Sequence, residues 1–310
     1  MSGTIWLHIG TGKSGTTSLQ RALRDIPEDL AAHGLRYVVP KGASSANAFA
    51  VAINKGRAAA LATLRDDLTA QIEAAGALSP VLSSEMLYGI APDAILDALP
   101  ILRDRPLNIL VYLRRQDRYI ESKYLQKLKN GMFRGDIDAF IDRFDGSGSD
   151  YLSQIDPWTK THATLHPRIC ETARLFGGST VTDALCLLGS PKLAEHAPAS
   201  DNANTSSSLE RIQLLHALQD AGHPLIKRIQ RALPPDPQGK AQFMSATQKR
   251  AFLARYETSN EALRQAFFSD QDSLFDQSGL KDDTPTPSTG FTQAQLSEIE
   301  TMFRLLLSGK

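Results

Sequence analysis

Apolar positions along this chain follow two rhythms. Short apolar runs bounded by turn signals, Ile5-Trp6-Leu7-His8-Ile9, Leu35-Arg36-Tyr37-Val38-Val39, Pro80-Val81-Leu82-Ser83-Ser84 and Leu107–Leu113, read as strands. Between them the pattern is helical: residues 17–33, stopped before Gly34, and residues 44–75, with a break near Asn54-Lys55-Gly56. Strands alternating with helices predict an α/β fold whose central parallel sheet is covered on both faces, with ligands at the C-terminal strand ends. From about residue 200 the rhythm is helical throughout. Ser207 with Glu210, and Ser245 with Gln248, read as capping boxes. Leu209, Ile212, Leu215 and Leu218 form one helix face. Pro234-Pro235-Asp236-Pro237 reads as a linker and Lys281 to Gly290 as a connection. The last helix has Thr292 and Gln295 as its capping box and Phe291 stapled to Leu296. These readings divide one domain, 1–310, into an α/β core over 1–190 and a helical C-terminal extension over 200–310.

The chain has 310 residues, with 34 Lys plus Arg against 34 Asp plus Glu, so its net charge is zero. A balanced surface argues against a general nucleic-acid or membrane-surface binder and leaves room for a local basic pocket. Cys170 and Cys186 show neither metal-ligand spacing nor a disulfide framework, which fits a reducing compartment. No basic region precedes an apolar core at Met1-Ser2-Gly3-Thr4, and no apolar run approaches the ~20 residues a membrane span needs. The expectation is a soluble, cytoplasmic protein.

The chemistry concentrates after the first strand, in Gly10-Thr11-Gly12-Lys13-Ser14-Gly15-Thr16-Thr17. A strand, a glycine-rich turn and a helix start make an anion site, because unpaired amides at the helix N-terminus point outward. Lys13 adds a point charge; Ser14, Thr16 and Thr17 add hydroxyls. The nucleotide-hydrolase loop G-x-x-x-x-G-K-[ST] fails, because its first glycine would fall at Leu7. Gly10, Gly12 and Gly15 have the spacing of a dinucleotide fingerprint, but no acidic residue follows at the end of a second strand. The segment, continuing through Ser18-Leu19-Gln20, resembles the 5'-phosphosulfate loop of sulfotransferases that use 3'-phosphoadenosine-5'-phosphosulfate (PAPS), and His8-Ile9-Gly10 before it resembles a bacterial branch of that family. The resemblance implies a three-layer α/β/α fold of the P-loop NTPase type, with Gly12, Lys13, Ser14, Gly15, Thr16 and Thr17 around the 5'-phosphosulfate. It spans roughly residues 4–190.

Arg114 ends the fourth strand, and Ser122 lies eight residues later on the following helix. In the family an arginine and a serine so spaced hold the 3'-phosphate of PAPS, which suits a bidentate guanidinium and a directed hydroxyl. Asp117 also matches, whereas Gln116 stands nearest to where the family carries proline. Arg114, Arg115 and Arg118 beside a helix N-terminus oppose its dipole and favour an anionic partner. Weaker likenesses are Tyr151 with Trp158 (similar to the carbohydrate-type branch), Asp183-Ala184-Leu185 with Leu188-Gly189, Asn204 to Ser208, and Ser259-Asn260.

The resemblance implies sulfuryl transfer to a hydroxyl or amine, with adenosine 3',5'-bisphosphate as product and no metal. Lys13 would stabilise the leaving group. Glu85 is the candidate base, because Ser83-Ser84-Glu85 resembles the catalytic glutamate position of heparan-type sulfotransferases; a glutamate starting a helix is an equal alternative. His8 is the second candidate, although a histidine inside a strand reads first as a buried, hydrogen-bonded one. The expected partner is a carbohydrate or small-molecule acceptor, not a nucleic acid. The helical part could cover the acceptor pocket or join two copies as a homo-oligomer. The alternatives are a P-loop kinase or NTPase using ATP and magnesium, and a nucleotide-binding protein without catalysis.

Overall fold

The computed structural model describes residues 3–146, 148–196, 208–220, 243–281 and 290–308. Five parallel strands form one sheet: β1 (Ile5–Gly10), β2 (Leu35–Tyr37), β3 (Ser79–Ser83), β4 (Leu107–Leu113) and β5 (Thr164–Ile169), in the spatial order β2-β3-β1-β4-β5. β1 therefore lies in the middle. Its neighbours β3 and β4 belong to chain segments that leave in opposite directions, and in open α/β sheets the crevice at such a reversal is where ligands bind. Register pairs His8 with Ser83 on one side and Leu110 on the other, then slips between His8 and Gly10. The slip turns the chain out of the sheet and into the glycine-rich loop.

β5 is not visible in the hydrophobic pattern. Its residues Thr164-Leu165-His166-Pro167-Arg168-Ile169 mix polar and apolar side chains, the middle four half-buried, and they carry a proline. It is an edge strand, the place where a sheet tolerates a missing N–H. Two further differences have equally local causes. The helix read as one piece over 17–33 is two, α1 (Thr16–Asp25) and α2 (Pro27–Ala32), broken where Pro27 starts a new helix. β2 stops at Tyr37, two residues short of the apolar run. The helical stretch over 44–75 becomes α3 (Asn47–Asn54) and α4 (Ala58–Glu73), separated at Gly56 as the pattern indicated.

The remaining helices are α5 (Pro92–Ala98), α6 (Gln116–Lys129), α7 (Ile137–Asp142), α8 (Tyr151–Thr159), α9 (Thr180–Leu187), α10 (Pro191–His196), α11 (Leu209–Asp220), α12 (Ala246–Ala254), α13 (Glu257–Phe267) and α14 (Gln293–Leu307). None among the described residues is long and apolar enough to cross a membrane.

Two compact units emerge, and neither is contiguous in sequence: residues 1–115, 146–201 and 255–276 in one, and residues 116–145, 202–254 and 277–310 in the other. The first holds the sheet with an apolar cluster on each face. Ile5, Leu7, Ile9, Leu82, Ile109, Val111 and Leu113 point to one face and pack with side chains of α3, α4, α5, α8 and α13. Trp6, Val81, Leu110 and Tyr112 point to the other, with side chains of α1, α9 and α10. Alternate residues of each strand face opposite ways, so both layers follow from the strand pattern. Tyr151 and Trp158 of α8 are core residues of the first face.

The second unit is helical. Tyr124 of α6 anchors an aromatic cluster, with ring centroids 4.9 Å from Phe243, 5.4 Å from Phe140 and 5.9 Å from Phe133. Ser245 and Gln248 form the expected capping box of α12, and Thr292 and Gln295 that of α14. The cap of α11 lies one residue later than the sequence pattern placed it: Ser208 Oγ accepts from the Arg211 amide, and Ser207 lies outside the described residues. So do Asn204 to Ser206, the proline linker at 234–237 and residues 282–289 of the last connection. Ile212 and Leu215 of the anticipated α11 face are buried.

Candidate functional site

The loop from Gly10 to Gly15 is built by three backbone choices. Gly10 (φ 120°) and Gly15 (φ 91°) take conformations open to glycine, and Lys13 (φ 68°) takes a left-handed one although it is not glycine. A strained non-glycine residue persists only where its surroundings fix it. Here they do. The Thr11 amide and hydroxyl both donate to the Tyr112 carbonyl at 3.0 and 2.9 Å. Arg114 Nη1 donates to the Lys13 carbonyl at 2.8 Å. Thr180 Oγ1 donates to the Ser14 carbonyl at 2.9 Å, and Cys170 Sγ approaches the same oxygen at 3.5 Å. The carbonyls of Lys13 and Ser14 are thus engaged from the end of β4 and from α9.

Gly15 is the N-cap of α1 and offers no side-chain cap, so the opening amides of Thr16, Thr17 and Ser18 have no intrahelical acceptor. A Cβ at Gly12 would meet nothing within 4 Å, so this part of the loop faces open space. A Cβ at Gly15 would come within 2.8 Å of Thr180 Oγ1. The hydroxyls divide. Ser14 is buried and its Oγ donates to the Thr11 carbonyl at 2.5 Å, which braces the loop. Thr16 is buried, Thr17 is exposed, and Gly12 and Lys13 are half-buried.

Arg114 and Ser122 fall in different units. Arg114 closes β4 in the sheet unit, where the Tyr151 hydroxyl holds its carbonyl. Ser122 is half-buried in the second turn of α6. Arg115 is buried, and its guanidinium donates to the Asp276 carbonyl. Arg118 donates to Ser278 Oγ at 2.9 Å.

Glu85 lies in a turn just past β3, not at a helix start, since α5 begins only at Pro92. Gly10 packs against its backbone, where a Cβ would stand 3.3 Å from Glu85 Cα. Both carboxylate oxygens accept from neutral amides: Oε2 from Gln20 Nε2 at 3.0 Å, and Oε1 from Asn47 Nδ2 at 3.1 Å. His8, from the middle strand, is buried, with Nδ1 2.7 Å from Ser83 Oγ. Its Nε2 has no partner among the described residues. Burial holds the His8 pKa down at about 4, outweighing the attraction of Glu85 and of the Gly10 backbone. His8 is therefore neutral near pH 7 and enclosed, the first of the two readings its position allowed.

Asn47, Cys170 and Thr180 are picked out by no motif, and Gln20 and Tyr151 stand in motifs that say nothing of these contacts. Gln20 left a further signal: it sits on the buried stripe Thr16, Leu19, Gln20, Leu23 of α1, where a polar residue needs a partner. The others reach the site through long-range packing that no local pattern records. The second unit holds a separate cavity of about 580 Å³ between α6, α11 and α14. Its charged walls are already engaged, Arg134 with Asp220 and Glu300 with Arg304.

No family model matches the chain. An uncharacterized protein of Archaeoglobus fulgidus is 26% identical over 196 residues, which cover 61% of this chain and 53% of that protein. The chain thus spans about half the length of the curated relative it matches. Among solved structures, a sulfotransferase from Alicyclobacillus acidocaldarius aligns with a TM-score of 0.48 at 16% identity, over 86% of this chain and 97% of that one. At this distance the function has to be argued from the residues themselves.

Proposed function

We propose that this protein is a sulfotransferase that moves a sulfuryl group from PAPS to a hydroxyl or amine of a carbohydrate or small metabolite. The observation that carries the reading is the loop at the end of β1. Its carbonyls are braced by Arg114 and Thr180, Lys13 stands in a left-handed backbone, and α1 opens without a side-chain cap. The uncapped amides of a helix N-terminus and one cation form a cradle for a phosphate-like anion, and open space at Gly12 lets such a group approach the backbone. PAPS supplies an activated sulfuryl group on a phosphate leaving group.

The amides of residues 14–17 would hold the 5'-phosphate. Lys13 would stabilise the charge left on the phosphate oxygen as its bond to sulfur breaks. Glu85 would take the proton that the acceptor oxygen or nitrogen loses on bonding to sulfur. Arg114 and Ser122 are assigned to the 3'-phosphate on their eight-residue spacing; Arg114 Nη1 is engaged at the Lys13 carbonyl, and Nε and Nη2 are the donors that would reach the phosphate.

Calorimetric titration with adenosine 3',5'-bisphosphate, against ATP with magnesium, tests the reading. The bisphosphate is expected to bind tighter, and Arg114→Ala to weaken it by about 2–4 kcal/mol. A preference for ATP with magnesium would move the protein to the kinase or NTPase class. With an acceptor in hand, Lys13→Ala is expected to abolish transfer, and unchanged turnover would sink the assignment.

A further inference from the structure

We propose that Gln20 and Asn47 are positioning residues that fix the Glu85 carboxylate, and that Gln20 ties it to the helix that forms the anion cradle. This rests on the reading of Glu85 as the proton acceptor. The hydrogen-bond directions follow from chemistry. An ionised carboxylate only accepts, so each amide must turn its nitrogen toward Glu85. Ser84 Oγ donates to Asn47 Oδ1 at 2.6 Å and locks that orientation from the other end. Gln20 Nε2 also lies 3.2 Å from Ser83 Oγ. Ser83 Oγ lies in turn 2.7 Å from His8 Nδ1. The contacts thus run in a line from His8 through Ser83 and Gln20 to Glu85.

Each carboxylate oxygen receives one amide donor, so roughly two of its four lone-pair sites remain for a proton from an acceptor. Gln20 is five residues beyond the N-cap of α1, ~7 Å along the axis. The cradle amides and the grip on Glu85 therefore belong to one rigid element, while Asn47 provides a second hold from the first turn of α3.

Two measurements decide the matter. In ¹H–¹⁵N spectra of the unliganded protein, the side-chain amide signals of Gln20 and Asn47 are expected to move with pH along one shared curve, and Glu85→Gln is expected to abolish the movement in both. Amide signals indifferent to Glu85 would overturn the grip. In the second measurement, sulfate release from PAPS is followed with water as the acceptor. Gln20→Met and Asn47→Leu should lower turnover about 10- to 100-fold, with adenosine 3',5'-bisphosphate affinity and thermal midpoint near those of the unchanged protein. Equal loss of turnover and of affinity would mean a merely structural role and would refute positioning, as would turnover unaffected by Glu85→Gln. If the bisphosphate fails to bind at all, the sulfotransferase reading falls, and the spectra still judge the grip on Glu85 by themselves.

Discussion

The two faces of the sheet are built from the same strands and do different work. One face is apolar along its length, with Ile5, Leu7 and Ile9 of β1 beside Ile109, Val111 and Leu113 of β4. The other begins apolar with Trp6 and Leu110 and becomes polar toward the strand ends, where His8, Ser83 and Gln20 meet under the loop. A second polar knot lies on that face at β5: Arg168 grips buried Asp183 through Nη2 at 2.5 Å and Nε at 2.9 Å, and the Tyr112 hydroxyl donates to the same carboxylate at 2.9 Å. Burying such groups is unfavourable unless each is paired, and here Arg168, Asp183 and Tyr112 pair with one another. The lesson is a division of labour by strand parity. Odd residues of β1 hold the fold, and even residues lead to the site.

The largest effect should come from breaking the apolar face. Trp158 is buried there against the sheet. Trp158→Ala should remove about 3–5 kcal/mol of stability by leaving a cavity. Denaturant unfolding measures the loss, and calorimetry on the still-folded protein should find bisphosphate affinity unchanged. A loss of affinity with little loss of stability would make Trp158 a ligand contact, as its likeness to carbohydrate-type enzymes could imply.

The polar face should answer to pH. His8 has a folded-state pKa of about 4 against 6.5 unfolded, so its neutral form is favoured in the native state. The stability it contributes is complete above pH 6.5 and is lost as pH falls, because only the unfolded chain takes up the proton in that window. The total is about 3 kcal/mol, with about 2 gone by pH 5. Unfolding free energies at pH 7 and pH 5 should therefore differ less in His8→Leu than in the unchanged protein, by about 2 kcal/mol. Parallel pH dependences in the two would show that His8 is not enclosed as described.

Sequence reading was strongest where structure is local. β4, the break between α3 and α4, and the boxes at Ser245 and Thr292 depend on neighbours a few residues apart, and each lies where its pattern put it. The turn from Gly10 to Gly15 was legible for the same reason. What the pattern hides is whatever depends on distant partners. β5 forms because β4 offers an open edge, not because Thr164-Leu165-His166-Pro167 favours a strand. Ser14 and Thr17 look alike in the motif, and only the Thr11 carbonyl separates the brace from the exposed hydroxyl. Glu85 was visible as a residue, but its contacts with Gln20 and Asn47, 65 and 38 positions away, were not.

The smallest effect tests where the two kinds of work meet, at Gly15. Its φ of 91° is unfavourable for any residue with a Cβ, and Thr180 Oγ1 stands 2.8 Å from where that atom would lie. Gly15→Ala should therefore lower stability by about 1–2 kcal/mol, less than a hole in the apolar core. It should also twist the cap of α1 and disturb the amides that follow. Thr180→Ala removes the clashing hydroxyl but also the donor to the Ser14 carbonyl. If space is the main obstacle, the double variant Gly15→Ala with Thr180→Ala recovers part of the loss; if backbone conformation dominates, the two changes add. Unfolding midpoints of the three variants separate these cases. Bisphosphate titration of the same three then tests whether the cradle tolerates any movement of its cap, and full affinity in Gly15→Ala would detach ligand binding from the geometry of this turn.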